Sequence, residues 1–98
     1  MNTNAARRAA IVTGGSRGIG RAIALRLAAD GLAVAVNYAS DAAKARETVS
    51  AIESAGGEAI AIQGDVGNPD DVAALFEGAK RAFGRIDVVV NSAGVMPM

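Results

Sequence analysis

The sequence has 98 residues, of which 51% are hydrophobic, 20% are charged and 3% are aromatic. Its ten basic residues balance its ten acidic ones, so we expect no strong charge field that would attract nucleic acid or anionic membrane surfaces. The low aromatic content also argues against the stacking platforms of single-stranded nucleic-acid binders. Cysteine and histidine are absent, which excludes disulfides and thiolate metal sites and removes the commonest metal ligand and general base.

The first half of the chain alternates short apolar runs with a helical period. Residues 9–13 predict a first strand. Apolar residues then recur at helical spacing from Ile23 to Ala28, and Gly31 supplies the left-handed residue on which helices often end. Residues 32–36 predict a second strand.

The second half repeats this alternation. A helix is predicted over about 41–55, and a third strand over 59–62. Asn68, followed by a proline and two aspartates, is typical of a helix start, and the apolar period after it runs to Gly84. Residues 86–90 predict a fourth strand.

Four strands that alternate with three helices through short connections predict right-handed βαβ units. The expected fold is therefore a three-layer α/β, Rossmann-type doubly wound parallel sheet with strand order 3-2-1-4. The fourth strand normally lies inside such a sheet, so we expect residues 1–98 to be the N-terminal part of a single domain, truncated after this strand. Its bare apolar edge would favour aggregation.

A glycine-rich segment joins the first strand to the first helix. Such a turn lets a pyrophosphate approach the backbone and the positive end of the helix, although glycines also mark ordinary turns. The spacing from Gly15 to Gly20 also fits a nucleoside-triphosphate loop, but Arg21-Ala22 follows where Lys-Ser/Thr is required. A nucleoside-triphosphate hydrolase is therefore not expected.

Three motifs, in this order along the chain, resemble those of a known family. They are the T-G-x-x-x-G-x-G spacing of residues 13–20, then Gly64-Asp65-Val66, and then Asn91-Ser92-Ala93-Gly94. Residues 83–87, which lead into the last motif, are also typical of that family. From about Arg8 onward the chain resembles classical short-chain dehydrogenases/reductases, in particular NADPH-dependent 3-oxoacyl reductase-like members. Ser92 departs from the family, which more often has Asn there.

The resemblance implies a nicotinamide dinucleotide cofactor and the residues that hold it. The Asp65 carboxylate would accept from the adenine amino group and Val66 would pack on the ring, although Asp65 also suits a plain turn. Asn91 would tie adjacent strands together, while Ala93 and Gly94 would let the ribose lie close. The complete set is Gly14, Ser16, Arg17, Gly18, Ile19, Gly20, Asn37, Tyr38, Ala39, Ser40, Asp65, Val66, Asn91, Ala93 and Gly94.

The end of the second strand favours NADP(H) over NAD(H). NAD sites usually place an acid about 20 residues beyond the glycines, whereas this chain has Asn37 there, which would not repel a 2′-phosphate. Arg17 and Ser40 offer a cation and a hydroxyl donor, a combination that marks NADP-preferring family members. Arg17 could instead be solvated and Ser40 could cap the second helix, and Asp41 is a nearby charge against NADP(H).

Catalytic residues cannot be carried over from the family. Its reaction, hydride transfer between NADPH and a carbonyl or alcohol substrate, depends on a Ser and on a Tyr and Lys in a Y-x-x-x-K motif. Tyr38 is the only tyrosine and Ala42 lies four residues on, while neither Lys44 nor Lys80 has the spacing. We therefore expect the 98 residues to be inactive alone, either as part of an NADP-dependent oxidoreductase or as a non-catalytic nucleotide-binding or interaction module.

Partners and location follow from the same features. The N-terminal segment lacks the apolar stretch of a secretory signal, so we expect a cytoplasmic protein without nucleic-acid or membrane partners. The resemblance implies a homo-oligomer, commonly a tetramer, for the complete protein. The substrate stays open.

Overall fold

The computed structural model describes residues 7–14 and 18–92. In this part of the chain, strands and helices alternate from end to end. They are β1 Ala9–Thr13, α1 Gly18–Ala29, β2 Ala33–Tyr38, α2 Ala42–Ser54, β3 Ala59–Gln63, α3 Pro69–Phe83 and β4 Val88–Asn91. None of these helices is long and apolar enough to cross a bilayer.

The strands form one parallel sheet with the order β3-β2-β1-β4, which confirms the predicted order. The central strand β1 is buried along its whole length, as expected for a parallel strand covered on both faces. β4 lies at one edge of this sheet, where Val89 is 48% exposed.

Helices cover both faces of the sheet, which confirms the three-layer architecture. Alternate residues of β2 point to opposite faces. Val34 and Val36 belong to the core cluster that contains Ile52 of α2, together with residues of α1. Ala35 belongs to the cluster on the other face, with Leu75 of α3.

The ends of α3 follow the predicted capping pattern. The Oδ1 atom of Asn68 accepts from the backbone N–H groups of Asp70 and Asp71, at 2.8 and 3.2 Å. At the other end, Gly84 has a left-handed φ of 82° and donates its N–H to the Lys80 carbonyl. Both ends are therefore determined by local sequence.

The second strand is longer than predicted. The apolar run ends at Val36, but Asn37 and Tyr38 continue the ladder opposite Ile62 and Gln63. A polar residue can occupy a buried strand when its side chain is hydrogen-bonded, and Asn37 meets this condition.

The fourth strand begins at Val88 rather than at Ile86. The Oδ2 atom of Asp87 accepts the Ala9 N–H at 2.9 Å, and the Asp87 N–H donates to the Ala9 carbonyl at 2.8 Å. The side chain of Asp87 therefore substitutes for a strand carbonyl at the start of β1, and Ile86 packs against the α3-side core instead.

Arg85 completes this contact. Its Nε and Nη2 atoms donate to the two carboxylate oxygens of Asp87, at 2.8 and 2.7 Å. The pKa of Asp87 is lowered, first by the hydrogen bond from Arg85 and next by that from Ala9. A lowered pKa in the folded state means that the ionised group stabilises the fold above its unfolded pKa, about 3.9, and that this stabilisation is lost as the pH falls through the folded value.

We expect Asp87→Asn to reduce the free energy of unfolding at pH 7 and to reduce it less as the pH falls below about 4. Wild type and Asp87→Asn are expressed from the complete coding sequence. Urea unfolding between pH 7 and pH 3 measures the difference in their free energies of unfolding. Asp30→Asn is the control, because the Arg26–Asp30 pair is exposed and such pairs contribute little. A difference between wild type and Asp87→Asn that stays constant with pH would contradict the assignment.

Candidate functional site

The carboxyl ends of the parallel strands share one edge of the sheet, and most of the predicted site residues follow them. Gly14 follows β1, Ala39 and Ser40 follow β2, and Asp65 and Val66 follow β3. Ligands of open α/β sheets bind outside this edge. Ser16, Arg17, Ala93 and Gly94 lie outside the described residues.

The glycine segment bends at two positions that favour glycine. Gly14 and Gly18 both have φ of 65°, in the left-handed region. Helix α1 begins at Gly18 and has no acidic residue in its first turn. The free N–H groups of its first turn can therefore face an anion without local repulsion, and Ile19 beside them is 65% exposed.

Gly20 brings α1 against two neighbouring segments. A Cβ atom at this position would overlap the Gly14 carbonyl and would lie 2.6 Å from the Ser92 Oγ atom. Gly20 is also buried. It therefore acts through close packing of the helix on the strand ends, and a larger residue would displace the glycine segment.

A hydrogen-bonded cluster joins the ends of β1 and β4. The Thr13 hydroxyl lies 2.9 Å from Asn91 Oδ1 and accepts the Ser92 N–H at 3.1 Å. The Ser92 hydroxyl donates to the Thr13 carbonyl. Asn91 thus ties adjacent strands together as predicted, and Ser92 has a hydrogen-bonding role in the position where the family more often has Asn.

The side chain of Asn37 is turned into the protein. It is 2% exposed, and its amide bonds to backbone groups of Gly14, Ile62 and Gly64. Asn37 therefore lies at the predicted edge of the sheet, but its side-chain amide bonds to the protein backbone there.

The loop after β2 presents Ala39 and Ser40 to solvent, while Tyr38 is half-buried against the core. Helix α2 is capped by Asp41, whose Oδ1 accepts the Lys44 N–H at 3.1 Å. The alternative that Ser40 caps α2 is therefore wrong. Within the described residues, the Ser40 hydroxyl has no hydrogen-bond partner.

Gln63 supports this loop from the neighbouring strand. Its Nε2 atom donates to the Ala39 carbonyl at 3.0 Å, and the Gly64 N–H donates to the Tyr38 carbonyl at 2.9 Å. Gln63 is not among the predicted site residues. The sequence offers one indication of this role, a polar residue at the end of an apolar strand.

The loop after β3 exposes both Asp65 and Val66. The Asp65 Oδ1 atom accepts the Gly67 N–H at 2.8 Å, in a local turn. Its Oδ2 atom has no hydrogen-bond partner in the described part of the chain and can accept from a ligand, so the turn and the binding interpretations of Asp65 are compatible. Val66 is 37% exposed.

A shallow cavity of about 260 Å³ opens beside Val66. Its lining extends from the ends of β1 and β4 to α3 and includes Thr13, Asn91 and Phe76. The site therefore combines a helix N-terminus, exposed backbone at glycines, one carboxylate oxygen and an apolar contact, a set that can hold a nucleotide. No group of acidic side chains in residues 7–14 and 18–92 is arranged to bind a metal ion.

Comparisons with known proteins agree with this fold. A 3-oxoacyl-[acyl-carrier-protein] reductase of Synechocystis is 52% identical over 86 residues, which are 88% of this chain and 35% of that protein. A 3beta-hydroxysteroid dehydrogenase of Eggerthella lenta is 52% identical over 85 residues, which are 87% of this chain and 33% of that protein. The crystal structure of a dehydrogenase/reductase from Sinorhizobium meliloti superposes with a TM-score of 0.87 at 48% identity, covering 90% of this chain and 35% of that one.

The chain spans about a third of the length of these relatives. The sequence profile of the short chain dehydrogenases matches residues 8–98, nearly the whole chain. On this match, and on the fold and motif positions described above, the chain belongs to the short-chain dehydrogenase family.

Proposed function

We propose that this chain holds NADP(H) in an oxidoreductase that transfers a hydride between the nicotinamide and a carbonyl or alcohol substrate. One observation carries the proposal. The glycine segment leaves the buried strand β1 and enters α1 at the carboxyl edge of the sheet, beside the loops that follow β2 and β3.

The pyrophosphate of the cofactor would lie at the first turn of α1. This turn has no acid, and Gly14 and Gly18 leave the backbone accessible. Helix N-termini at such a turn attract phosphate through free N–H groups and the helix dipole. The residues present therefore fit a dinucleotide.

The adenine would lie on the loop after β3. Asp65 keeps one carboxylate oxygen outside its turn, and an amino group is the donor that such an oxygen accepts from. The exposed part of Val66 offers an apolar surface for the ring.

The 2′-phosphate of NADP(H) would lie beside Ser40. The Ser40 hydroxyl is exposed and faces no internal partner among the described residues. Asp41, the charge that opposes a phosphate, is engaged at the N-terminus of α2, where the helix dipole offsets negative charge. We propose Arg17 as the cation that pairs with the phosphate.

The bound cofactor supplies the hydride chemistry. Within this chain the residues bind and orient it. We propose that the proton-transferring Tyr and Lys belong to another part of the complete protein, since Tyr38 stands in no Y-x-x-x-K motif. Relatives of equal identity are named for a hydroxysteroid and for a 3-oxoacyl group, so the substrate class is left at carbonyl or alcohol.

We expect Arg17→Ala to weaken NADPH binding by about 1–3 kcal/mol, the range for a lost charge-assisted hydrogen bond, and to leave NADH binding nearly unchanged. Fluorescence titration of the complete protein with both cofactors measures the two dissociation constants. Arg26→Ala is the matched control, because Arg26 is an exposed cation near the far end of α1, paired with Asp30. Equal losses for NADPH and NADH would show that Arg17 does not read the 2′-phosphate.

We expect Gly20→Ala to weaken NADPH and NADH binding together, by roughly tenfold or more, because the added methyl displaces the glycine segment at a typical overpacking cost. The control is Gly31→Ala, at a left-handed glycine with open space around it, which should lower stability without changing affinity. Unchanged affinity in Gly20→Ala would contradict the role of this close contact.

The complete protein provides the direct test of the function. Purified enzyme should bind NADPH more tightly than NADH and should oxidise NADPH in the presence of a carbonyl substrate. Failure to bind either dinucleotide would overturn the proposal. Binding without turnover on any carbonyl or alcohol would favour the non-catalytic module instead.

A further inference from the structure

Asn37 connects three segments at the carboxyl edge of the sheet. Its Oδ1 atom accepts the Gly14 N–H at 3.4 Å, and its Nδ2 atom donates to the carbonyls of Ile62 and Gly64 at 3.2 and 3.1 Å. The residue is 2% exposed. One buried side chain thus bonds to the start of the glycine segment and to the start of the loop that carries Asp65.

Two of these backbone groups, the Gly14 N–H and the Gly64 carbonyl, lie beyond the last paired residues of the strands, whereas Ile62 pairs with Asn37 within the β2–β3 register. The β1–β2 register ends at Val12 and Val36, so Gly14 has no strand partner from β2. The β2–β3 register ends at Tyr38 and Gln63, and one further backbone hydrogen bond joins the Gly64 N–H to the Tyr38 carbonyl. The Asn37 side chain therefore gives the Gly14 N–H a partner beyond the β1–β2 register and adds a second bond to the backbone contact between β2 and Gly64.

The carboxamide of Asn37 supplies both kinds of group. The two carbonyls require donors and the Gly14 N–H requires an acceptor, which also fixes the orientation of the amide. An aspartate would turn oxygen atoms toward both carbonyls, and a leucine would remove all three side-chain hydrogen bonds. The pattern therefore favours asparagine over an acidic or an apolar residue.

We propose that Asn37 is a positioning residue that fixes the glycine segment and the Asp65 loop relative to each other, so that one dinucleotide contacts both. The inference rests on the proposed function, because the pyrophosphate and the adenine are assigned to these two loops. A site held in its binding geometry before the ligand arrives avoids the cost of ordering the loops on binding.

This role differs from a role in reading the 2′-phosphate. Asn37 acts through the position of two loops, and the pyrophosphate and the adenine that we assign to those loops are common to NADPH and NADH. Loss of its amide should therefore weaken both cofactors by the same factor, whereas loss of Arg17 should weaken NADPH alone.

The test compares Asn37→Ala with Val36→Ala in the complete protein. Val36 is the adjacent residue of β2 and is fully buried in the apolar core, so its truncation lowers stability by leaving a cavity. Titrations with NADPH and NADH and urea unfolding are measured for both variants. We expect Asn37→Ala to raise both dissociation constants by a common factor of roughly 5 to 50, and Val36→Ala to lose stability with unchanged affinity.

Asn37→Ser provides a second, milder variant if the alanine protein does not fold, because its hydroxyl can satisfy part of the network. We expect a smaller loss, again equal for both cofactors. In the wild-type protein, the Asn37 side-chain amide protons should exchange with solvent more slowly than those of an exposed carboxamide, and exchange at the exposed rate would overturn the proposal.

Two affinity results would also overturn it. Asn37 variants that lose stability but keep both affinities would show a purely structural residue, and a loss confined to NADPH would assign Asn37 to the 2′-phosphate. Neither result affects the proposed function, since the wild type would still bind. A wild type that binds neither cofactor would remove the proposed function and this inference with it.

Discussion

The close approach of α1 to the strand ends is the constraint on which the candidate site depends. A Cβ atom on Gly20 would overlap the Gly14 carbonyl and would meet the Ser92 hydroxyl at 2.6 Å. The helix can therefore begin directly over the carboxyl edge of the sheet only because this residue has no side chain. That placement aims its unpaired N–H groups at the edge where the other loops also end.

Two buried polar residues of this edge, Thr13 and Asn37, contrast with two exposed ones, Ser40 and Asp65. Thr13 and Asn37 are buried and bond to backbone or side-chain groups of neighbouring segments, because an unpaired polar group would be costly there. Ser40 and Asp65 are exposed and retain groups that face solvent. Under the proposed function, the buried pair would hold the loops in position and the exposed pair would contact the ligand.

Local pattern was enough to predict the element order, the strand order and both ends of α3, since capping and periodicity act within a few residues. It was not enough for the role of Asn37, whose partner Ile62 lies 25 residues away. A neutral residue at a strand end has the same local appearance whether its amide faces a ligand or the sheet. The start of β4 was missed for a similar reason, because Asp87 bonds to Ala9 across the sheet.

Under the proposed function, the identity of the residue that caps α2 bears directly on the choice between NADP(H) and NAD(H). Asp41 caps the helix, so its carboxylate is held by the Lys44 N–H and offset by the helix dipole. If Ser40 were the cap, its hydroxyl would accept a backbone N–H of the helix, and Asp41 would lie in the first turn. The presence of an acid near the end of β2 therefore does not by itself indicate NAD(H). What matters is whether the helix N-terminus already holds that acid, as it does here.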